Sequence, residues 1–168
     1  MKMKLLFTGL MIMALLVGCS SSKAVSVAMV EVAQLKNFSM YVTIVETDTK
    51  LSKKLAGQNS HFLYFYIRAT NISNESHTID SSMFTLKNDE GKTYKPITQD
   101  LASYERNAFS NKQFSPDVED VGMVIFEVSD SIKVTDKTLP GFYLHYENEG
   151  DKATFNLSER IGKLTSEQ

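Results

Sequence analysis

His61-Phe62-Leu63-Tyr64-Phe65-Tyr66-Ile67-Arg68-Ala69-Thr70 reads as a β-strand more strongly than any other stretch of the chain. Aliphatic and aromatic residues fill it, no Gly or Pro interrupts it, and its side chains sort by a period of two. Leu63, Phe65, Ile67 and Ala69 make one apolar face, and Phe62, Tyr64, Tyr66 and Arg68 make the other. A strand that commits one face to aliphatics needs a second sheet to bury them. The fold is therefore decided here: sheet against sheet.

The neighbours agree. Val25–Val32 is rich in β-branched residues, and Phe38, Met40, Val42 and Ile44 alternate onto one face of the stretch Phe38–Val45. After Thr70, Asn71-Ile72-Ser73-Asn74-Glu75-Ser76 offers side-chain hydrogen bonds to the backbone and reads as a turn. Strand signals recur around Ile79, Phe84 and Leu86, and Asn88-Asp89-Glu90-Gly91 reads as a hairpin loop into Thr93-Tyr94. Val124, Phe126 and Val128 point one way in the next strand, as do Phe142, Leu144 and Tyr146 in the one after it. Asn148-Glu149-Gly150-Asp151 then turns the chain into Ala153–Leu157. Lys50–Gly57 fits either two turns of helix, from Leu51 and Leu55 four apart, or a loop; Asp100–Tyr104 could start a short helix. Seven or eight short strands without a sustained helical period predict an all-β, antiparallel β-sandwich over residues 25–158.

The N-terminus carries a different signal. Lys2 and Lys4 precede thirteen apolar residues, Leu5–Val17, which is the pattern of a secretory signal and too short for a good membrane span. Leu16-Val17-Gly18-Cys19 resembles the lipobox of bacterial lipoproteins. That resemblance implies a signal peptide over residues 1–18, a diacylglyceryl group on the Cys19 sulfur, and Cys19 as the first mature residue. Two or more acyl chains anchor a protein stably where one does not. Residues 19–24, with Ser20-Ser21-Ser22, become a lipidated flexible tether, and 159–168 a polar tail.

Loss of residues 1–18 leaves 150, enough for one core, with 16 basic against 20 acidic residues. The absence of a Lys/Arg run argues against nucleic acid and against a polybasic membrane patch. Cys19 is the chain's only cysteine, so a lipidated form has no thiol, no disulfide and no thiolate chemistry. It also lacks the Cys-Trp-Cys core of antibody domains.

Three stretches carry a family resemblance. Phe65–Glu75 is a strand ending in an Asn-x-Ser-x-Glu turn, Phe84–Tyr94 a "Phe-x-Leu, polar loop, Gly-Lys-x-Tyr" hairpin, and Gly122–Val128 a "Gly, aliphatics, Phe-Glu-Val" strand. Together they resemble the telokin-like, immunoglobulin-like domain of unknown function found in secreted and lipid-anchored bacterial proteins. Ser115-Pro116-Asp117 stands where that family usually has a Pro-Gly pair. The resemblance implies an immunoglobulin-like sandwich at the cell surface and no catalytic residues. Fold alone does not assign function.

Motifs for chemistry are sparse. His61, His77 and His145 lack ligand spacing and read as solvated or capping residues. Asp117, Glu119 and Asp120 miss the oxygen spacing of a calcium loop. No phosphate loop, dinucleotide fingerprint or nucleophile elbow occurs, so the expectation is a non-enzyme without cofactor. Asn37, Asn71, Asn74 and Asn156 open Asn-x-Ser sequons and read as turn residues. If Leu63, Phe65 and Ile67 point inward, Tyr64 and Tyr66 face outward and become the candidate protein-binding residues, with Tyr41 and Tyr143 placed to join them. Cross-strand packing explains the same aromatics without a partner. Two functions follow: a membrane-anchored, extracytoplasmic lipoprotein that binds an envelope or extracellular protein, or one that senses a small molecule or ion at the loops of the sandwich.

Overall fold

The computed structural model describes residues 23–51, 54–99 and 107–158. The leader, Cys19, the Asp100–Tyr104 segment and the tail from 159 lie outside the described residues. Among those described, the chain is all β apart from one turn of 3-10 helix. In chain order the strands are β1 Val25–Ala28, β2 Ala33–Gln34, β3 Phe38–Asp48, β4 Lys50–Leu51, β5 Lys54–Leu55, β6 Ser60–Asn71 and β7 His77–Ile79. The 3-10 turn Ser81–Met83 follows, then β8 Phe84–Asn88, β9 Thr93–Tyr94, β10 Lys112–Phe114, β11 Glu119–Ser129, β12 Phe142–Asn148 and β13 Asp151–Asn156. The predicted strands are all here; the additional ones are two or three residues long, too short to show a period.

Two sheets face each other. One runs β11-β6-β3-β2 and the other β1-β13-β12-β8-β9, with small ladders β10-β7 and β4-β5 beside them. The ladders are antiparallel except at one edge, where β1 lies parallel to β13, Val25 opposite Ala153 and Ala28 opposite Asn156; a single parallel bridge joins Ala108 to Met123 at the edge of the other sheet. The core between the sheets holds Leu63, Phe65, Ile67 and Ala69 of β6 with Val124, Phe126 and Val128 of β11. Phe84, Leu86, Leu144, Tyr146, Ala153 and Phe155 meet them from the other sheet. Phe65 and Phe126 meet edge to face, with ring centroids 5.4 Å apart.

Local reading needs correction in three places. The alternation of β3 breaks at a bulge between Val42 and Ile44, where Thr43 turns its hydroxyl to the Tyr66 carbonyl at 3.0 Å. The extra residue resets the pleat, so Val45 rather than Ile44 enters the core. Lys50–Leu55 is a small two-stranded ladder and not a helix: Leu51 is buried whereas Leu55 is 70% exposed. The third concerns the far face of β6. Phe62 and Tyr64 do not meet solvent but join Leu51, Ala108, Met123 and Ile125 in a second apolar cluster on the outside of that sheet. The chain runs along the free edge of β11 there, with Ile97 donating its N–H to the Ile125 carbonyl at 2.8 Å and Phe109 to Met123 at 3.0 Å, and the Ile97 and Ala108 side chains reach the outer cluster.

The turns are built as their residues dictate. Glu149 and Gly150 both have positive φ, the geometry of a two-residue hairpin that matches strand twist. Asn71, fully buried, orders the bend after β6. Its amide NH2 donates to the carbonyls of Glu75 (2.7 Å) and Phe114 (3.0 Å), and its oxygen accepts from the Ser73 N–H (3.0 Å). These turns mark one end of the sandwich. The other lies about 33 Å away, ten residues up β6 at about 3.3 Å each.

Candidate functional site

At that far end, three segments border an open, shallow cleft of about 470 Å³. Its walls are Thr47, Asp48 and Thr49 from the end of β3, and Asp130, Ile132, Lys133 and Val134 from the β11–β12 connection; His61 lies between them. The volume falls within the range of small-ligand sites, and loops held on a rigid scaffold are where binding residues concentrate.

The β11–β12 connection is held at several points. The Asp130 N–H donates to the Asn59 carbonyl at 3.0 Å, and the Ile132 N–H closes a turn onto Ser129 at 3.0 Å. Thr135 and Thr138 bond reciprocally around Asp136 and Lys137, both with positive φ, before Leu139 enters the core. Non-glycine residues pay for that conformation, and it persists because both flanks are fixed. Across the floor, His61 is 7% exposed and its Nδ1 lies 3.0 Å from the Asp130 carboxylate. An ionised carboxylate only accepts, so Nδ1–H donates. The Nε2 is buried without a hydrogen-bond partner. The imidazole clamps the loop to β6 through Nδ1, and its other nitrogen is buried away from the solvent. What the cleft does offer is two carboxylates, one ammonium, two threonine hydroxyls and an aliphatic wall.

The neighbouring loop is secured by Glu127. Its Oε1 accepts from the Gly57 N–H at 2.7 Å and the Ser60 hydroxyl at 2.9 Å, and Lys54 lies 3.6 Å from Oε2. The Gly57 bond leads these interactions in holding the Glu127 carboxyl below its ordinary range, against the opposing effect of burial.

Tyr64 is 9% exposed, and its hydroxyl donates to the Lys50 carbonyl at 3.0 Å. Tyr66 is half-buried against the same outer cluster. The expected outward tyrosine face is thus largely covered. Tyr143 stands on β12 in the opposite sheet, opposite Asn156 and Lys87, and cannot join it; Tyr41 does neighbour it, opposite Arg68. Of the acidic loop, Glu119 pairs with Arg68 and Asp120 with Lys112 at 2.7 Å, which leads in lowering the Asp120 carboxyl. Asp117 occupies a positive-φ turn position. The carboxylates diverge, and among the described residues no three His, Cys, Asp or Glu side chains gather as a metal site.

The histidines are scattered. His77 packs edge to face on Phe38 and lies 3.4 Å from Glu149; His145 contacts the Thr154 hydroxyl at 2.9 Å on the second sheet. Burial, with Lys87 nearby, holds the His145 imidazole below its ordinary value of 6.5. A depressed histidine binds its proton better in the unfolded chain, so its contribution is intact above pH 6.5 and is lost as pH falls through the folded value. Glu127 adds a second loss at lower pH, below its ordinary 4.5. Melting temperature is expected to fall in two limbs on acidification, and His145→Gln to flatten the first. An unchanged first limb in that variant would reassign it.

Asp48, Asp130 and Lys133 had no motif to announce them. The one available signal was the length of the connection between the strands around Phe126 and Leu144, more than a hairpin needs.

No curated protein matches the chain significantly by sequence. Several solved structures share its fold. A β-sandwich protein of Clostridium difficile 630, itself uncharacterized, superposes with a TM-score of 0.53 at 14% identity, over 80% of this chain and 94% of that one. The secreted protein MPT63 of Mycobacterium tuberculosis gives 0.57 at 12%, over 80% and 98%. The ycdA protein of Bacillus subtilis, a candidate lipoprotein, gives 0.54 at 16%, over 77% of this chain but 39% of its own. At these identities the likeness is one of fold. The sequence itself matches a family model over residues 28–139, and the chain belongs to that family, the domain of unknown function DUF4352.

Proposed function

We propose that this is a lipid-anchored, extracytoplasmic lipoprotein whose telokin-like, immunoglobulin-like sandwich serves as a non-enzymatic binding domain, and that it binds through the His61–Asp130 end. The observation carrying this is the cleft at that end. Its walls come from the terminus of β3 and the long β11–β12 connection, and they mix charge, hydroxyl and aliphatic surface. The sheet face that would otherwise compete is covered around Phe62 and Tyr64. The lipobox-like Leu16–Cys19 supports the anchor on the cytoplasmic or outer membrane, and the secreted and candidate lipoprotein fold relatives accord with export.

The partner in this reading is an envelope or extracellular protein. The test places a photo-cross-linking residue at Lys133 and, as control, at Thr93 on the opposite sheet's edge, in intact cells. A discrete adduct from Lys133 that Thr93 does not give is expected; identical patterns would remove the cleft from the binding surface. In parallel, Cys19→Ala should move the protein from the membrane to the soluble fraction, and membrane retention of that variant would end the anchor reading. The volume of the cleft also favours a second reading, a small polar molecule or ion as ligand. A native-state ligand would raise the melting temperature by mass action, about 2.7 kcal/mol of stabilisation at a hundredfold excess over Kd.

A further inference from the structure

We propose that the end of the sandwich where β1 begins is seated on lipid headgroups, with Lys23 and Lys36 directed to their phosphates, so that the His61–Asp130 cleft is held away from the membrane. This rests on the anchor at Cys19. Four residue steps separate Cys19 from Lys23, at most about 14 Å of extended chain. Lys23 leads directly into β1, whose first residue Val25 lies opposite Ala153, next to the Asn148–Asp151 turn. The tether therefore leaves the domain at that end, and the bilayer is the surface it can reach.

The cleft at that end carries more ammonium groups than carboxylates. Lys23, Lys36 and Lys152 line one shallow cleft of about 340 Å³, with Val25, Leu35 and Gly150 between them. Glu149 and Asp151 also line it, and of the two Asp151 is spent on backbone hydrogen bonds. Asp151 is 4% exposed and its carboxylate accepts from the Lys36 N–H at 2.7 Å and the Asn37 N–H at 2.9 Å; the Glu149 side chain, 63% exposed, lies 3.4 Å from the His77 imidazole. Lys152 is paired with Glu147 at 2.7 Å. Lys23 and Lys36 have no carboxylate partner among the described residues. They are exposed ammonium groups at the point where the tether enters, and headgroup phosphates are the anions within its reach.

The strand geometry sets the consequence. β3 and β6 run from this end, where Phe38 lies opposite Asn71, to the other, where Asp48 lies opposite Phe62. Seating one end presents the cleft about 30 Å further out, by the rise of the intervening strand residues.

Lipidation consumes the only thiol, so an introduced cysteine is the single labelling site. The full-length lipidated chain, carrying a fluorophore at Gln34→Cys or at Lys133→Cys, is reconstituted into vesicles of equal parts phosphatidylglycerol and phosphatidylcholine with a headgroup-linked quencher. Strong quenching at position 34 and little at 133 is expected. Lys23→Gln with Lys36→Gln should lower the ratio of seated to tumbling domain about 25-fold, about fivefold per lysine. Equal quenching at both positions, with the protein still floating with the vesicles, would overturn the seating and leave the anchor intact. Unequal quenching unchanged in the double variant would overturn the role of the lysines. A chain that does not float would instead end the anchor reading and this inference with it.

Discussion

Asn71→Ala is expected to lower the free energy of unfolding by about 2–4 kcal/mol, because each buried polar group left unmatched costs about 1–3 kcal/mol. The substitution removes four hydrogen bonds, to the Glu75 and Phe114 carbonyls and from the Ser73 N–H and hydroxyl, while the Glu75 carbonyl keeps the Ser73 hydroxyl at 3.0 Å. The Phe114 carbonyl is in the interior and the Ser73 N–H is half-buried, which makes one full and one partial penalty. The residue type follows from what it must supply. Two donors and an acceptor are required from one short side chain, and only a carboxamide of this length provides them. Asn71→Asp is expected to be at least as damaging at neutral pH, since it points a carboxylate at two carbonyl oxygens. Some of that loss should return on acidification, when a protonated carboxyl regains one donor. Asn74, exposed in the same turn, is the control: Asn74→Ala should stay within about 0.5 kcal/mol of the parent. Urea unfolding reads all three, and an Asn71→Ala variant within 1 kcal/mol would mean that water replaces the lost partners.

The same residue shows how far the sequence could be read. Asn71–Glu75 announced a turn because Asn and Ser bind local backbone, and that part of the geometry is local. The bond to Phe114, 43 residues on, is not, so the residue's weight was invisible. The alternation from Leu63 to Ala69 carries its own answer, since one face of a strand in a sandwich must be apolar. It says nothing of what covers the other face. Phe62 and Tyr64 are covered by Leu51, Ala56, Ile97 and Ala108, isolated apolar residues in segments without a period. Alternation therefore assigns Tyr64 outward, by a rule that assumes solvent on one side. The His61–Asp130 clamp and the β1–β13 pairing are likewise contacts between distant residues, with no pattern along the chain to declare them.

Gly122→Val is expected to be the most damaging single substitution here that adds atoms, at about 3 kcal/mol or more, the upper end for overpacking. Gly122 sits on the inward face of β11, where an ideal Cβ would lie 2.2 Å from the Phe109 Cε1 and 2.4 Å from its Cζ. No such contact is tolerated, so the ring or the strand must move. The ring is hemmed in: Phe84 stacks on it at 6.0 Å and Phe114 packs at 6.3 Å. Its backbone is fixed as well, because the Phe109 N–H donates to Met123 while its carbonyl accepts from both the Ser81 N–H (2.9 Å) and hydroxyl (2.7 Å). The glycine is thus required by a ring and not by a turn, which explains its place inside β11. Its loss should be recoverable by removing the obstruction. Phe109→Ala alone empties part of the core and is expected to cost about 3–5 kcal/mol. Combined with Gly122→Val, the new methyls fill some of the space left by the ring, and the pair should cost less than the two separately by about 1–3 kcal/mol. A double-mutant cycle in urea measures that coupling. Strict additivity would mean that the strand, not the ring, yields to the added side chain, and that Phe109 does not dictate the glycine.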